Sequence, residues 1–395
     1  MKIEMKIEMK IIKFFSFILI GLVMFACGNE EAKKTNESEA IEAAATAEVQ
    51  QVASEPWNKF RGNMQNTGVA TSNVQKQKST LLWKVKANAR VSTSPSVSHG
   101  MVFFGAADST FYAIDIKSGD IIWEFETNDD IRSNPYVGNS NVYFGSSDGN
   151  FYALDTKTGT LKWKFETGDI IMSSPNVLGD KIYFGSYDGN LYALDKNTGE
   201  KVWSFNTGDA VYSSPAIFED IIAFGSMDHF LYVLDNETGE LKWKFDAKDG
   251  VGSSPAISNG AIYFGCDNRI MYALDLSTGD KIWEFLTSAP INSSPAVDEN
   301  NVYFGSYDFR FYAVDIKKGT KKWEFLTEQV IHSSPALSNG LVIFGSDDNN
   351  LYGVDAITGA EAWRYTAMDR VHTSPSICNG VIFITSFDGH IYSIK

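Results

Sequence analysis

Eight tryptophans, Trp83, Trp123, Trp163, Trp203, Trp243, Trp283, Trp323 and Trp363, stand 40 residues apart without one insertion or deletion. A proline series, from Pro95 and Pro135 through to Pro375, keeps the same step. A fixed period of roughly 20–50 residues belongs to solenoids, propellers and arrays, whose units bury apolar surface only against their neighbours. It overrides the division into two or three domains that a length of 395 residues would otherwise suggest.

Within one period every local signal is strand or turn. In residues 171–206 the runs IMSSPNV, KIYFGS, LYALD and KVWSF are short and rich in β-branched and aromatic residues. Between them LGD, YDGN and KNTGE supply the Gly, Asn and Asp of tight turns. Four strands of about five residues with their turns fill the period, which is the size of one four-stranded propeller blade. We name the strands A (the S-S-P segment), B (Y-F-G-S), C (L-Y-A-L-D) and D (W-x-F). The first recognisable strand is a D, Leu81 to Lys86, and the last is a C, His390 to Lys395. The predicted fold is therefore all-β: an eight-bladed β-propeller of four-stranded antiparallel blades, closed by the N-terminal strand completing the last blade.

The run into strand D reads A-x-D-x-x-x-G-x-x-x-W, as in Ala153, Asp155, Gly159 and Trp163. It resembles the tryptophan-docking motif of the PQQ-like propeller repeat family, which holds quinoprotein dehydrogenases and BamB-like outer-membrane lipoproteins. The segment from Trp57 to Asn63, WNKFRGN, followed by Asn66-Thr67-Gly68, is similar to the lead-in of such proteins. WD repeats are excluded, because no tryptophan here precedes an aspartate.

Ahead of the repeats lies an address. From Met9 the chain reads as an export signal: Lys10 and Lys13, then an apolar stretch from Phe14 to Phe25 that is too short to cross a bilayer. Ala26-Cys27 resembles a lipobox, although Met24 stands where leucine is usual. The resemblance implies that Cys27 is acylated, with palmitate among its chains. Gly28 after it implies sorting to the outer membrane, facing the periplasm or the cell surface. Residues 28–55 hold seven Glu and almost no large apolar side chain, so they read as a disordered acidic tether. The expected organisation is a signal peptide at 1–26, a tether at 27–55, a lead-in at 56–80 and the propeller at 81–395. Cys266 and Cys378 are too few for a disulfide scaffold and form no C-x-x-C pair, so two packed thiols are expected.

Columns that recur in every blade call for structural roles. The tryptophans should pack between blades, and the glycine of T-G should take a positive φ in the C–D turn. The aspartates Asp108, Asp148, Asp188, Asp228, Asp308, Asp348 and Asp388 should cap their own B–C turns rather than hold metal. In the fifth blade Cys266-Asp267-Asn268 reads as out of step with this column.

Function is expected where the repeat varies. The residue just inside strand A runs Ser92, Arg132, Met172, Tyr212, Gly252, Asn292, His332, His372. The residue before the turn aspartate includes Tyr187, Tyr307, Asp347 and Phe387, and Arg269, Phe309 and Arg310 follow within three residues. The D–A and B–C connections share one face of an up-and-down blade, so Arg132, Met172, Tyr187, Tyr212, Arg269, Asn292, Tyr307, Phe309, Arg310, His332, His372 and Phe387 form the expected partner-binding face. Arg and aromatic residues are the types enriched in binding hot spots.

A net charge of −15 sets nucleic acid aside as a partner. The uniform period leaves no inserted loop for a catalytic pocket, and the expectation is a non-catalytic lipid-anchored scaffold with no cofactor and no metal. The BamB-like resemblance implies a protein partner in the cell envelope, in β-barrel outer-membrane protein assembly. A dehydrogenase with PQQ and calcium is the alternative, disfavoured because the family's adjacent cysteine pair and C-x-x-C-H segment are missing from the sequence. Glycan or small-ligand binding at the channel mouth is a further alternative. The closure has a direct test: deleting residues 81–86 should lower the Tm far more than deleting an equal length of surface loop, and equal losses by scanning calorimetry would contradict it.

Overall fold

The computed structural model describes residues 56–77 and 79–395. The expected signal peptide, Cys27 and the whole of the expected tether at 27–55 lie outside the described residues. Thirty-two strands form eight separate antiparallel sheets of four, arranged as a β-propeller, with no helix among the described residues. Blade 1 comprises Ser96–Ser98, Met101–Gly105, Thr110–Asp115 and Ile121–Glu126 as strands A to D. Blades 2 to 7 repeat it. Blade 8 joins Ser376–Cys378, Val381–Thr385 and His390–Ile394 to the N-terminal strand Leu81–Lys86. That last ladder pairs Trp83 with Ser393, Val85 with Ile391 and Lys86 with His390, so the ring closes as the frayed ends of the repeat predict.

Strands B and C are buried along almost their whole length because a neighbouring blade covers each face, which is why they read as continuous apolar runs. Strand D is the outer edge and alternates between half-buried and exposed side chains. The tryptophan column joins blades: Trp123 Nε1 donates to Thr156 O in the next blade's C–D turn at 3.1 Å. Trp83 does the same to Ile116 O, across the seam where the chain closes on itself. The T-G glycines make this docking possible. Gly159 has φ +69°, and a Cβ there would lie 2.6 Å from the Trp123 ring.

The S-S-P segment is a clasp around the axis. The second serine of one blade donates its backbone N–H to the second serine Oγ of the next: Ser174 to Ser214, Ser214 to Ser254, and on to Ser374. Ser374 donates to Ser94, and Asn134, the substitute in blade 2, accepts from Ser94 and donates to Ser174, which completes the circle. Each such bond contributes about 0.5–1.5 kcal/mol net, and together they fix the blades at one distance from the axis.

The lead-in is more than an approach to the ring, because it plugs the axis. Backbone carbonyls of Trp57, Asn58, Met64, Gln65, Thr67 and Gly68 accept in turn from Val97, Val137, Ile217, Ile257, Val297 and Leu337, one strand A after another. The residue after each proline explains the fit. Ala216, Ala256, Ala296 and Ala336 leave room and bring no donor of their own, so the lead-in supplies donors to the adjacent proline carbonyls. Asn66 Nδ2 donates to Pro215 and Pro255, and Arg61 to Pro295 and Pro335. Where serine follows the proline, as at Ser96 and Ser376, its own hydroxyl caps a neighbouring proline carbonyl instead.

The plug carries buried cations. Lys59 is 3% exposed, and its ammonium donates to Asn176 Oδ1 at 2.5 Å. Burial holds its pKa well below the ordinary lysine value. Arg61 is equally buried, and burial lowers its pKa to about 9. No described carboxylate pairs with either cation. Because the folded-state pKa of Lys59 lies below the unfolded one, the unfolded chain binds more protons, and stability rises with pH from the lowered value up to about 10.5. Lys59→Met should therefore raise the Tm, and by more at pH 7 than at pH 10; a gain equal at both pH values would contradict this.

Candidate functional site

The plug makes the axis a one-ended funnel of about 400 Å³, floored by Phe60. All eight members of the variable strand A column, from Ser92 round to His372, line its wall. Below them lies the tier of clasp serines. The propeller symmetry converts one varying sequence column into a ring of side chains facing a common space. Three buried polar atoms of this wall lack a protein partner, Ser92 Oγ, Arg132 Nε and Asn292 Oδ1, and so can serve a bound ligand.

The residue before the turn aspartate lies between two members of that column, 15 residues back in its own blade and 25 residues on in the next. Tyr187 thus stacks on Tyr212 with ring centroids 5.8 Å apart. Gly252 keeps space for Tyr212, since a Cβ there would sit 1.8 Å from its hydroxyl oxygen. Tyr307 Oη accepts from Asn292 Nδ2 at 3.0 Å and meets His332 Nδ1 at 2.8 Å. Asp347 bonds His372 Nδ1 at 3.1 Å and lies 4.0 Å from His332 Nε2. Phe387 stacks on His372 at 4.9 Å, and the Arg90 guanidinium lies over the Phe387 ring, 5.6 Å from its centroid. The His332 and His372 rings are themselves 3.9 Å apart.

Burial and the nearby His372 push the His332 pKa down to about 4, against the pull of Asp347, so His332 is neutral at physiological pH. Burial raises the Tyr212 pKa, with Asp267 adding to it, and the phenol stays protonated. The funnel wall thus offers aromatic faces, neutral donors and acceptors, and the cation of Arg132, which forms a half-buried ion pair with Asp130 at 3.1 Å.

Of the twelve side chains expected at this face, Arg132, Met172, Tyr187, Tyr212, Asn292, Tyr307, His332 and His372 line the funnel, and Phe387 packs against its edge. Arg269, Phe309 and Arg310 are not brought into it. Two and three residues past the inward position the chain has turned outward to begin strand C, and Arg310 sits 3.8 Å from Glu324 on the outer strand. Phe309 is exposed there at φ +68°. Phe60 and Asp347 belong to the site although neither was among the expected residues. The 15 and 25 residue offsets are the signal that marks Asp347; Phe60 has none, because its place depends on the path of the plug.

The turn aspartates do cap their own turns, and they also join blades. Asp188 Oδ1 accepts from Asn190 N, while Oδ2 accepts from Tyr192 Oη at 2.7 Å and from Gly168 N in the preceding D–A connection. Burial alone would raise its pKa, but these hydrogen bonds win and hold it below the usual value. Blade 5 is in register, contrary to the sequence expectation. Cys266 occupies the serine column, Asp267 the inward position and Asn268 the aspartate column, with all strand lengths kept. Asn268 differs by being a donor. Its Nδ2 donates to Ala247 O at 2.6 Å where six of the other blades have an N–H donating to a carboxylate, and Lys248 takes φ +70°. Cys266 and Cys378 are both buried, and burial pushes the Cys266 thiol up to about 12.

These features define a PQQ-like propeller with a plugged axis and a variable funnel face. The family model described as outer membrane protein assembly factor BamB matches residues 72–137, 129–229 and 227–395, and the chain belongs to that family. Among solved structures it is similar to BamB from Moraxella catarrhalis, with TM-score 0.70 at 18% identity over 80% of this chain and 98% of that one. It is similar too to a europium-containing methanol dehydrogenase, with TM-score 0.74 at 15% identity over 86% and 98% of the two chains. A quinohemoprotein alcohol dehydrogenase from Pseudomonas putida HK5 has TM-score 0.77 at 14% identity, over 86% and 80%. At these identities the likeness is one of fold. No curated protein matches the chain by sequence.

The Asn268 arrangement generates a prediction. Asparagine at the aspartate column requires a positive φ in the preceding connection, which Gly168 supplies freely and Glu328 does not. Asp348→Asn should therefore cost about 1–2 kcal/mol more than Asp188→Asn, and equal costs in urea denaturation would contradict the peptide-flip explanation.

Proposed function

We propose that the chain is a non-catalytic scaffold, anchored in the outer membrane through acylated Cys27 and presenting its funnel face to a protein partner of the cell envelope. Membership of the BamB family supports β-barrel outer-membrane protein assembly as the process it serves. The observation that carries the reading is the convergence of Arg132, Tyr187, Tyr212, Tyr307 and Phe387 in and around a single blind funnel, on a ring otherwise built from repeated residues. Rigid aromatic side chains and arginine give large contact area at small entropic cost, and they concentrate binding energy near an interface centre.

The fold alone is shared with quinoprotein dehydrogenases, so the choice against an enzyme rests on side chains. The three cysteines stand at 27, 266 and 378, which leaves no adjacent pair, and the funnel wall is lined mostly by serines and aromatics. A second reading, a glycan or small ligand in the funnel, is favoured by one feature, the stacked Tyr187 and Tyr212 pair at the mouth.

Affinity capture with the full chain from detergent-solubilised envelope separates the readings. A β-barrel assembly protein is expected with the wild type and should be reduced at least tenfold with Arg132→Ala and Tyr212→Ala. Capture unaffected by both substitutions would overturn the funnel as the docking face, and saturable oligosaccharide binding without any captured protein would favour the second reading.

A further inference from the structure

We propose that His332, Asp347 and His372 form a binding site for a divalent first-row transition ion, zinc being the ion the donor set fits best. Their ligand atoms lie within 4.8 Å of one another. His372 Nδ1 is 3.1 Å from Asp347 Oδ1, and His332 Nε2 is 4.0 Å from Asp347 Oδ2. Zinc bonds to nitrogen and carboxylate oxygen at about 2.0–2.2 Å, so ligands on one ion stand roughly 3–4 Å apart, and shifts below an ångström bring all three donors onto it. Two imidazoles with one carboxylate select zinc and its neighbours over calcium or magnesium, which take oxygen donors.

The surroundings are those of a supported site. Tyr307 Oη, already accepting from Asn292, faces His332 Nδ1; a proton held on Nδ1 leaves the Nε2 lone pair directed at Asp347. Phe387 packs on the His372 ring and restricts its rotation. The Asp347 side chain is only 7% exposed, so its orientation is set by packing. Arg370 Nη1 lies 3.9 Å from Asp347, but that side chain is 57% exposed and can swing into solvent when a cation binds. The net charge of −15 draws cations to the protein. Three protein ligands leave at least one coordination position, and both histidines line the funnel, where a water or a donor atom from a ligand can fill it. The site stands on its own geometry whether or not this face takes a protein partner.

The test is titration of the chelator-treated full chain with Co²⁺, followed by its visible d–d absorption, and with Zn²⁺ by calorimetry. One equivalent should bind, Zn²⁺ should displace Co²⁺, and His332→Asn, His372→Asn and Asp347→Asn should each weaken binding at least tenfold. Tyr307→Phe should weaken it by about tenfold through the lost orientation of His332. His99→Ala, in an A–B connection on the opposite face, should bind as the wild type does. Thermal unfolding gives a second readout that also reports folding: Zn²⁺ should raise the Tm of the wild type and leave that of His372→Asn unchanged. Non-saturating binding, or one-equivalent binding retained in the His332→Asn/His372→Asn double variant, would overturn the site.

Discussion

Closure of the ring is the constraint from which the other features follow. A four-stranded blade cannot bury its own faces, so every blade depends on two neighbours, and an open ring would leave two large apolar surfaces in water. The ladder between Leu81–Lys86 and His390–Ile394 removes that opening, and the hydrogen-bonded circle of S-S-P serines fixes the inner radius. The constant period is a consequence. A blade one residue longer in strand A would move its serine off the circle and its tryptophan off the next blade's turn, so insertions fail at both the inner and outer edges of the blade.

A closed ring of eight leaves a channel on its axis, and the chain fills one end of it with its own lead-in. The complementarity is chemical as well as steric. Alanines at strand A bring no side-chain donor to the next blade's proline carbonyl, and Asn66 meets that of Pro255 while Arg61 meets those of Pro295 and Pro335. The cost is two buried cations, Lys59 and Arg61, paired with neutral oxygens. The plug also makes the two faces unequal: one end of the axis is occupied by backbone, and the other is an open funnel.

On that funnel the exchange of a structural column for a variable one has the greatest effect. Serine, tryptophan and turn aspartate join blades, whereas the inward residue of strand A takes part in none of those repeated contacts and varies from Arg132 to Tyr212 to His372. Pairing with the residue before the turn aspartate, across a blade boundary, builds local clusters from it: Tyr187 with Tyr212, and Asp347 between two histidines. The same framework carries dehydrogenases and assembly factors because these positions are decoupled from closure.

The period, the strand order within a blade, the count of eight and the exchange of the first strand into the last blade are legible in the amino-acid sequence, because each rests on local turn chemistry and on a spacing that any closed ring must respect. The variable face was legible as a set of columns, and nine of its twelve expected members gather in or beside the funnel. What only the tertiary structure decided is which members turn inward and what lies between them. Arg269, Phe309 and Arg310 differ from Tyr187 and Asp347 by two or three residues, and the bend into strand C, invisible in composition, sends them to the outer side. The path of residues 57–74 through the axis is likewise set by donors and acceptors hundreds of residues apart, as with Arg61 and Pro335, which meet only when the ring has closed around them.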